Sequence, residues 1–191
     1  MTALHLAAGF SSASTVKAFV KAGAKVDARD GSQRTPLHHA ARFNSSEDVI
    51  RVLIECRADV NACDDRQSTP LHHALEFNTC GNVIQALIEC GADVNACGNC
   101  QWTPLHMAAW VNCEFVPILV EHGAKVNLLN RNNNSPLHWA ARGLYGFKSN
   151  RDAVIALLAA GADPHLGEDP PLADKEVKDE MKILIRKHLY L

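Results

Sequence analysis

The chain has 191 residues, 47% of them apolar, with a formal net charge of -2 and a pI near 6.5. There is no basic footprint for nucleic acid, no run near the ~18 apolar residues that a membrane span needs, and no charged segment leading into an apolar one at the amino terminus. Seven cysteines, an odd number scattered over a mid-sized chain, do not make a secreted disulfide framework and suit a reducing cytosol or nucleus.

The first predicted element opens at Thr2-Ala3-Leu4-His5-Leu6-Ala7-Ala8, and the pattern returns with small edits. Its later copies are Thr35-Pro36-Leu37-His38-His39-Ala40-Ala41, Thr69-Pro70-Leu71-His72-His73-Ala74-Leu75, Thr103-Pro104-Leu105-His106-Met107-Ala108-Ala109 and Ser135-Pro136-Leu137-His138-Trp139-Ala140-Ala141. A worn sixth copy keeps only Pro171-Leu172-Ala173. In each full copy Thr or Ser suits a helix N-cap, and in four of the five Pro suits the first helical position, where a missing N–H costs nothing. In the second copy Leu37, Ala40 and Ala41 share a helical face, and the small alanines let helices approach to roughly 8–10 Å. Asn44 is expected to end that helix in the left-handed conformation that Asn tolerates.

A second helix follows in each copy, with an apolar stripe such as Val49, Ile50, Leu53 and Ile54, or Val83, Ile84, Leu87 and Ile88. The stripe recurs as Phe115, Val116, Leu119 and Val120, with Pro117 in a first turn that tolerates it, and as Ala153, Val154, Leu157 and Leu158. After it comes a further recurring motif: Gly23-Ala24-Lys25-Val26-Asp27, Arg57-Ala58-Asp59-Val60-Asn61, Gly91-Ala92-Asp93-Val94-Asn95, Gly123-Ala124-Lys125-Val126-Asn127 and Gly161-Ala162-Asp163-Pro164-His165. One such helix pair cannot bury its own stripe, so the pairs must stack.

A period near 33 residues carrying this pair of motifs resembles the ankyrin repeat, and the resemblance covers essentially the whole chain. It implies an all-α solenoid of helix-turn-helix units with projecting loops, one domain over 1-191, its repeats near 1-30, 31-64, 65-98, 99-130, 131-166 and a terminal cap at 167-191. Several departures from the family pattern stand out. The first copy has no preceding loop, as if cut from a longer protein. Gln33, Gln67, Gln101 and Asn133 stand where these repeats usually place glycine, so the loop-tip turn is expected to differ, because Gln enters positive φ poorly. The fifth copy has an insertion from Arg142 to Asn150, with Tyr145 and Phe147. The last has a shortened loop and then, from Lys175 to Lys187, an amphipathic segment with Val177, Met181, Leu184 and Ile185 at helical spacing, which reads as a cap ending the array.

His5, His38, His72, His106 and His138 recur in register and tempt a metal or general-base reading. A catalyst would be needed once, whereas the resemblance implies a structural histidine that ties each helix start to the next repeat. Cys97-Gly98-Asn99-Cys100 is a C-x-x-C, and Cys63 repeats the place of Cys97, but a zinc site on these three lacks a fourth ligand. No nucleophile elbow, phosphate loop or acid–base carboxylate pair appears, so no enzyme, no cofactor and no metal are expected.

The positions that vary among copies are free for recognition. They are the loop tips, the residue after each motif histidine (Leu6, His39, His73, Met107, Trp139) and the end of the first helix. In ankyrin proteins these line the concave groove that holds partners. All three tryptophans fall in these sets, and aromatic residues and arginine dominate interface hot spots. The expected protein-binding patch is centred on Trp102, Met107, Trp110 and Trp139 and flanked by Arg34, Arg42, Phe43, Phe77 and Arg142. The expected assembly is a monomer with a protein partner. Two other readings stay open, the regulatory or targeting portion of a larger enzyme or adaptor, and an autonomous inhibitor or host-directed effector. The resemblance also implies Asn61, Asn95 and Asn127 as targets of an asparaginyl hydroxylase.

Overall fold

The computed structural model describes residues 1–78, 80–142 and 149–167, the side chains of 142, 149 and 150 excepted. Most of the insertion in the fifth copy, the sixth copy and the amphipathic segment from Lys175 to Lys187 lie outside the described residues. Every regular element among the described residues is helical. The chain divides into two compact units, Met1–Asn99 and Cys100–Leu191.

The first unit contains α1 (Ala3–Phe10), α2 (Ala13–Lys21), α3 (Pro36–Phe43), α4 (Glu47–Glu55), α5 (Pro70–Phe77) and α6 (Gly81–Glu89). Consecutive helices pair as hairpins, and the hairpins stack, α1 on α3 on α5 in one layer and α2 on α4 on α6 in the other. The second unit contains α7 (Pro104–Val111), α8 (Val116–Glu121), α9 (Pro136–Arg142) and α10 (Ser149–Ala159), stacked likewise, α7 on α9 and α8 on α10. Pro117 sits in the first turn of α8.

The expected stripes form the cores. Leu37, Val49, Ile50 and Leu53 are fully buried in the first unit, as are Leu105, Val116 and Leu119 in the second. Each such side chain contributes about 1.5–3 kcal/mol, so stacking holds helices that are too short to persist alone.

The motif histidine does two jobs. At α3, the Thr35 amide donates to His38 Nδ1 at 3.1 Å, and the Thr35 hydroxyl lies 2.9 Å from the same nitrogen. An Nδ1 that accepts leaves the proton on Nε2, which donates to the Ser68 carbonyl of the next repeat at 3.0 Å. His5 reaches Arg34 O and His106 reaches Asn134 O in the same way, each at 3.0 Å. The histidine is a helix cap and an inter-repeat tie, as the resemblance implied.

Two local expectations are corrected. Asn44 is extended, at φ -94 and ψ 139, not left-handed. Its amide donates to Ala8 O and Ser11 O of the preceding repeat at 2.9 and 3.0 Å, while its Oδ1 accepts from Ser46 N and opens α4. Asn78 repeats the arrangement on Ala41 O and Asn44 O. The side chain's three bonds outweigh the local preference.

The loop tips take positive φ after all, and only the fourth differs, with a 3-10 turn at Asn99–Gln101 and Cys100 also at positive φ. Gln33, Gln67, Gln101 and Asn133 all adopt positive φ, between 54 and 61°. A carboxylate clamps the turn: Asp30 Oδ1 accepts from Ser32 N and Arg34 N at 2.9 and 3.0 Å, and Asp64 Oδ1 accepts from Arg66 N and Ser68 N at 2.9 Å each. Two charge-assisted bonds outweigh a left-handed cost of about 1–2 kcal/mol.

Arg57 bears the same strain without such a clamp. It is exposed at φ 70, where Gly23, Gly91, Gly123 and Gly161 stand at φ 85–91 in the other repeats. Arg57→Gly is therefore expected to raise stability by about 0.5–1 kcal/mol, since relief of the left-handed strain exceeds the added chain entropy. Urea unfolding measures it, and a lowered midpoint would contradict the strain.

Candidate protein-binding surface

The first helices end where their apolar face runs out, so each last turn presents large side chains to solvent. In the first unit Phe10, Phe43 and Phe77 occupy this place, at 68, 46 and 43% exposure. Phe10 and Phe43 stack with centroids 5.3 Å apart. Arg42 lays its guanidinium 3.6 Å from the Phe77 centroid and 5.0 Å from that of Phe43. Arg34 is half-buried, its Nε 3.5 Å from Asp30 Oδ2.

In the second unit the three indoles meet. Trp102 contacts Trp139 at 4.6 Å and Trp110 at 5.3 Å, and Trp110 contacts Trp139 at 5.9 Å, between centroids. Trp102 precedes α7, Trp110 is in its last turn and Trp139 is on α9. The cluster therefore links a loop to two first helices. Trp110 is 50% exposed, and Trp102, Met107 and Trp139 are half-buried. Rings this close leave no room for an ammonium group between them, so the cluster is not an aromatic cage. Arg142 ends α9, and its side chain lies outside the described residues.

Two residues of the variable set behave otherwise. His39 and His73 are buried, and each Nε2 lies 2.9 Å from a loop carboxylate, Asp30 Oδ2 and Asp64 Oδ2. The signal was in the sequence: an Asp stands nine residues before each of these histidines, while Gly98 and Asn130 stand nine before Met107 and Trp139. Phe10 was missed too, although it falls eight residues after its cap, as Phe43 and Phe77 do.

The polar network beneath the surface is strongly biased. Burial lowers the pKa of His38 to about 4 despite its bond to Ser68, and it lowers those of His5 and His73 as well. Burial opposes ionisation of Asp30 and Asp64, but the histidine bonds and the loop amides outweigh it and hold both carboxyls below their ordinary range. His5, Asp30 and His39 bring ligand atoms within 4.8 Å of one another. A metal there would have to displace either the His5 bond to Thr2 N or that to Arg34 O, so the trio reads as a loop anchor. Cys56, Cys63, Cys80, Cys90 and Cys97 are free thiols. Asn61 and Asn127 bridge repeats: Asn61 donates to Gly91 O and accepts from Asp93 N, and Asn127 donates to Gly161 O and accepts from Asp163 N.

No helix among the described residues is long and apolar enough to cross a membrane. A family model described as ankyrin repeats (3 copies) matches residues 1–64, 43–130 and 71–167. The curated proteins contain no match to the chain.

Proposed function

Because the chain belongs to the ankyrin-repeat family, whose repeats are generally protein–protein interaction modules, we propose that it recognises a protein partner through its first helices and loop tips, without catalysis. One observation carries the reading. Every tryptophan of the chain lies in a single mutually touching cluster, and Trp110 remains half exposed. Large aromatic side chains left in water are poor choices for stability alone and good anchors for an interface. Trp102, Met107, Trp110 and Trp139 form the centre of the patch. In the first unit Arg34, Arg42, Phe43 and Phe77 are proposed to contact protein as well, as is Arg142 at the end of α9 in the second. The free thiols of Cys56, Cys63, Cys80, Cys90 and Cys97 fit work in a reducing compartment.

The test is a pull-down from lysate of the cells that express the protein, using the full chain and a Trp102→Ala/Trp110→Ala double variant as baits. The double variant is expected to lose its captured protein at least about tenfold, with thermal unfolding shifted by a few degrees at most. Intact capture with collapsed stability would make the indoles structural and overturn the reading.

A further inference from the structure

A deeper inference rests on the recognition reading and concerns the first unit. The last turns of α1, α3 and α5 set Phe10, Phe43 and Phe77 in water, and Arg42 lies against the last two. A guanidinium covered by phenyl rings keeps its hydrogen-bonding edge free while its face is held, which pre-organises it for a planar anion. Its Nε is buried without a hydrogen-bond partner, and no ion pair among the described residues neutralises it.

The nearby carboxylates are committed elsewhere. Asp64 binds His73 and the amides of Arg66 and Ser68, and Asp30 binds His39 and the amides of Ser32 and Arg34. Glu76 is the exception. Burial raises its carboxyl above the ordinary range against the pull of Arg42 and Arg66, so it lies in the field of both guanidiniums yet pairs with neither. Any partner that covers these phenyls also strips water from Arg42. A purely apolar partner would leave that charge desolvated and uncompensated, whereas one bringing an anion would not.

We propose that the Phe10, Phe43 and Phe77 row with Arg42 receives a protein segment carrying an aspartate or glutamate between bulky apolar side chains. The apolar groups rest on the phenyls, and the carboxylate takes the free edge of Arg42.

The experiment is selection of a random dodecapeptide phage library on the full chain, followed by fluorescence anisotropy of the recovered peptides against purified variants. The recovered peptides should carry Asp or Glu flanked by Leu, Ile, Phe or Met. They should lose about tenfold in affinity on Arg42→Met and gain about twofold on Glu76→Gln, which removes the competing carboxylate. Thermal unfolding checks each variant, and Glu76→Gln, at an exposed position, carries the test if Arg42→Met fails to fold. Peptides without acidic enrichment, or acidic peptides that change less than twofold on the folded variants, overturn the inference. If such peptides still require Trp102 and Trp110, the recognition reading stands without it. Recovery of no peptide overturns the inference, and the pull-down then decides the recognition reading by itself.

Discussion

Replacing His38 with alanine is expected to destabilise the chain by roughly 3–5 kcal/mol. The substitution strands the Thr35 amide and the Ser68 carbonyl, now bound at 3.1 and 3.0 Å, and leaves a cavity where a fully buried ring stood. Each orphaned buried group costs about 1–3 kcal/mol, against a total stability of about 5–15 kcal/mol for an ordinary domain. His122→Ala is the control, because His122 is exposed at the end of α8 and its ring bonds back to Ile118 O at 2.8 Å. Urea unfolding of both variants measures the difference. A His38→Ala loss below about 1 kcal/mol would mean that the tie between repeats contributes little.

The second large effect is acid lability. The folded-state pKa of His38 lies near 4, below the ordinary 6.5. Between those values the unfolded chain binds a proton that the folded chain does not, so the stabilisation is complete above pH 6.5 and lost as the pH falls toward 4. The shift from 6.5 to about 4 is worth about 3 kcal/mol for His38, and His5 and His73 act in the same direction. Asp30 and Asp64 have lowered pKa values as carboxyls, so their share is present above the ordinary 3.8 and lost only as the pH falls below it. Chemical unfolding between pH 7.5 and 4.5 should show stability dropping by several kcal/mol, most of it below pH 6. A flat profile would show that the folded histidines take up protons as readily as the unfolded ones, and would contradict the account.

The repeat and its helix pairs were legible because cap, proline and core leucine act locally and recur in register. Thr35, Pro36 and Leu37 need only each other to start α3. The indole set was legible for the opposite reason, since Trp102, Trp110 and Trp139 break a pattern that the other copies keep. What escaped sequence reasoning depends on partners distant along the chain. Asn44 gives up the left-handed conformation for two carbonyls 36 and 33 residues upstream. Gln33 and Gln67 accept positive φ because Asp30 and Asp64 clamp their turns. His39 and His73 leave the variable surface because the same carboxylates draw them in. In these two loops one acid thus decides both the turn and the fate of a helix residue nine positions on.

The same cluster gives a direct readout of recognition, since all tryptophan emission of this chain comes from Trp102, Trp110 and Trp139. Acrylamide quenching of that emission, measured with and without a saturating captured partner, tests whether the indoles form the contact. Quenching should be appreciable in the free chain, where Trp110 is 50% exposed, and should fall at least about twofold in the complex as the rings are covered. A saturated complex whose tryptophans quench as readily as those of the free chain would place the partner elsewhere and contradict the proposed surface.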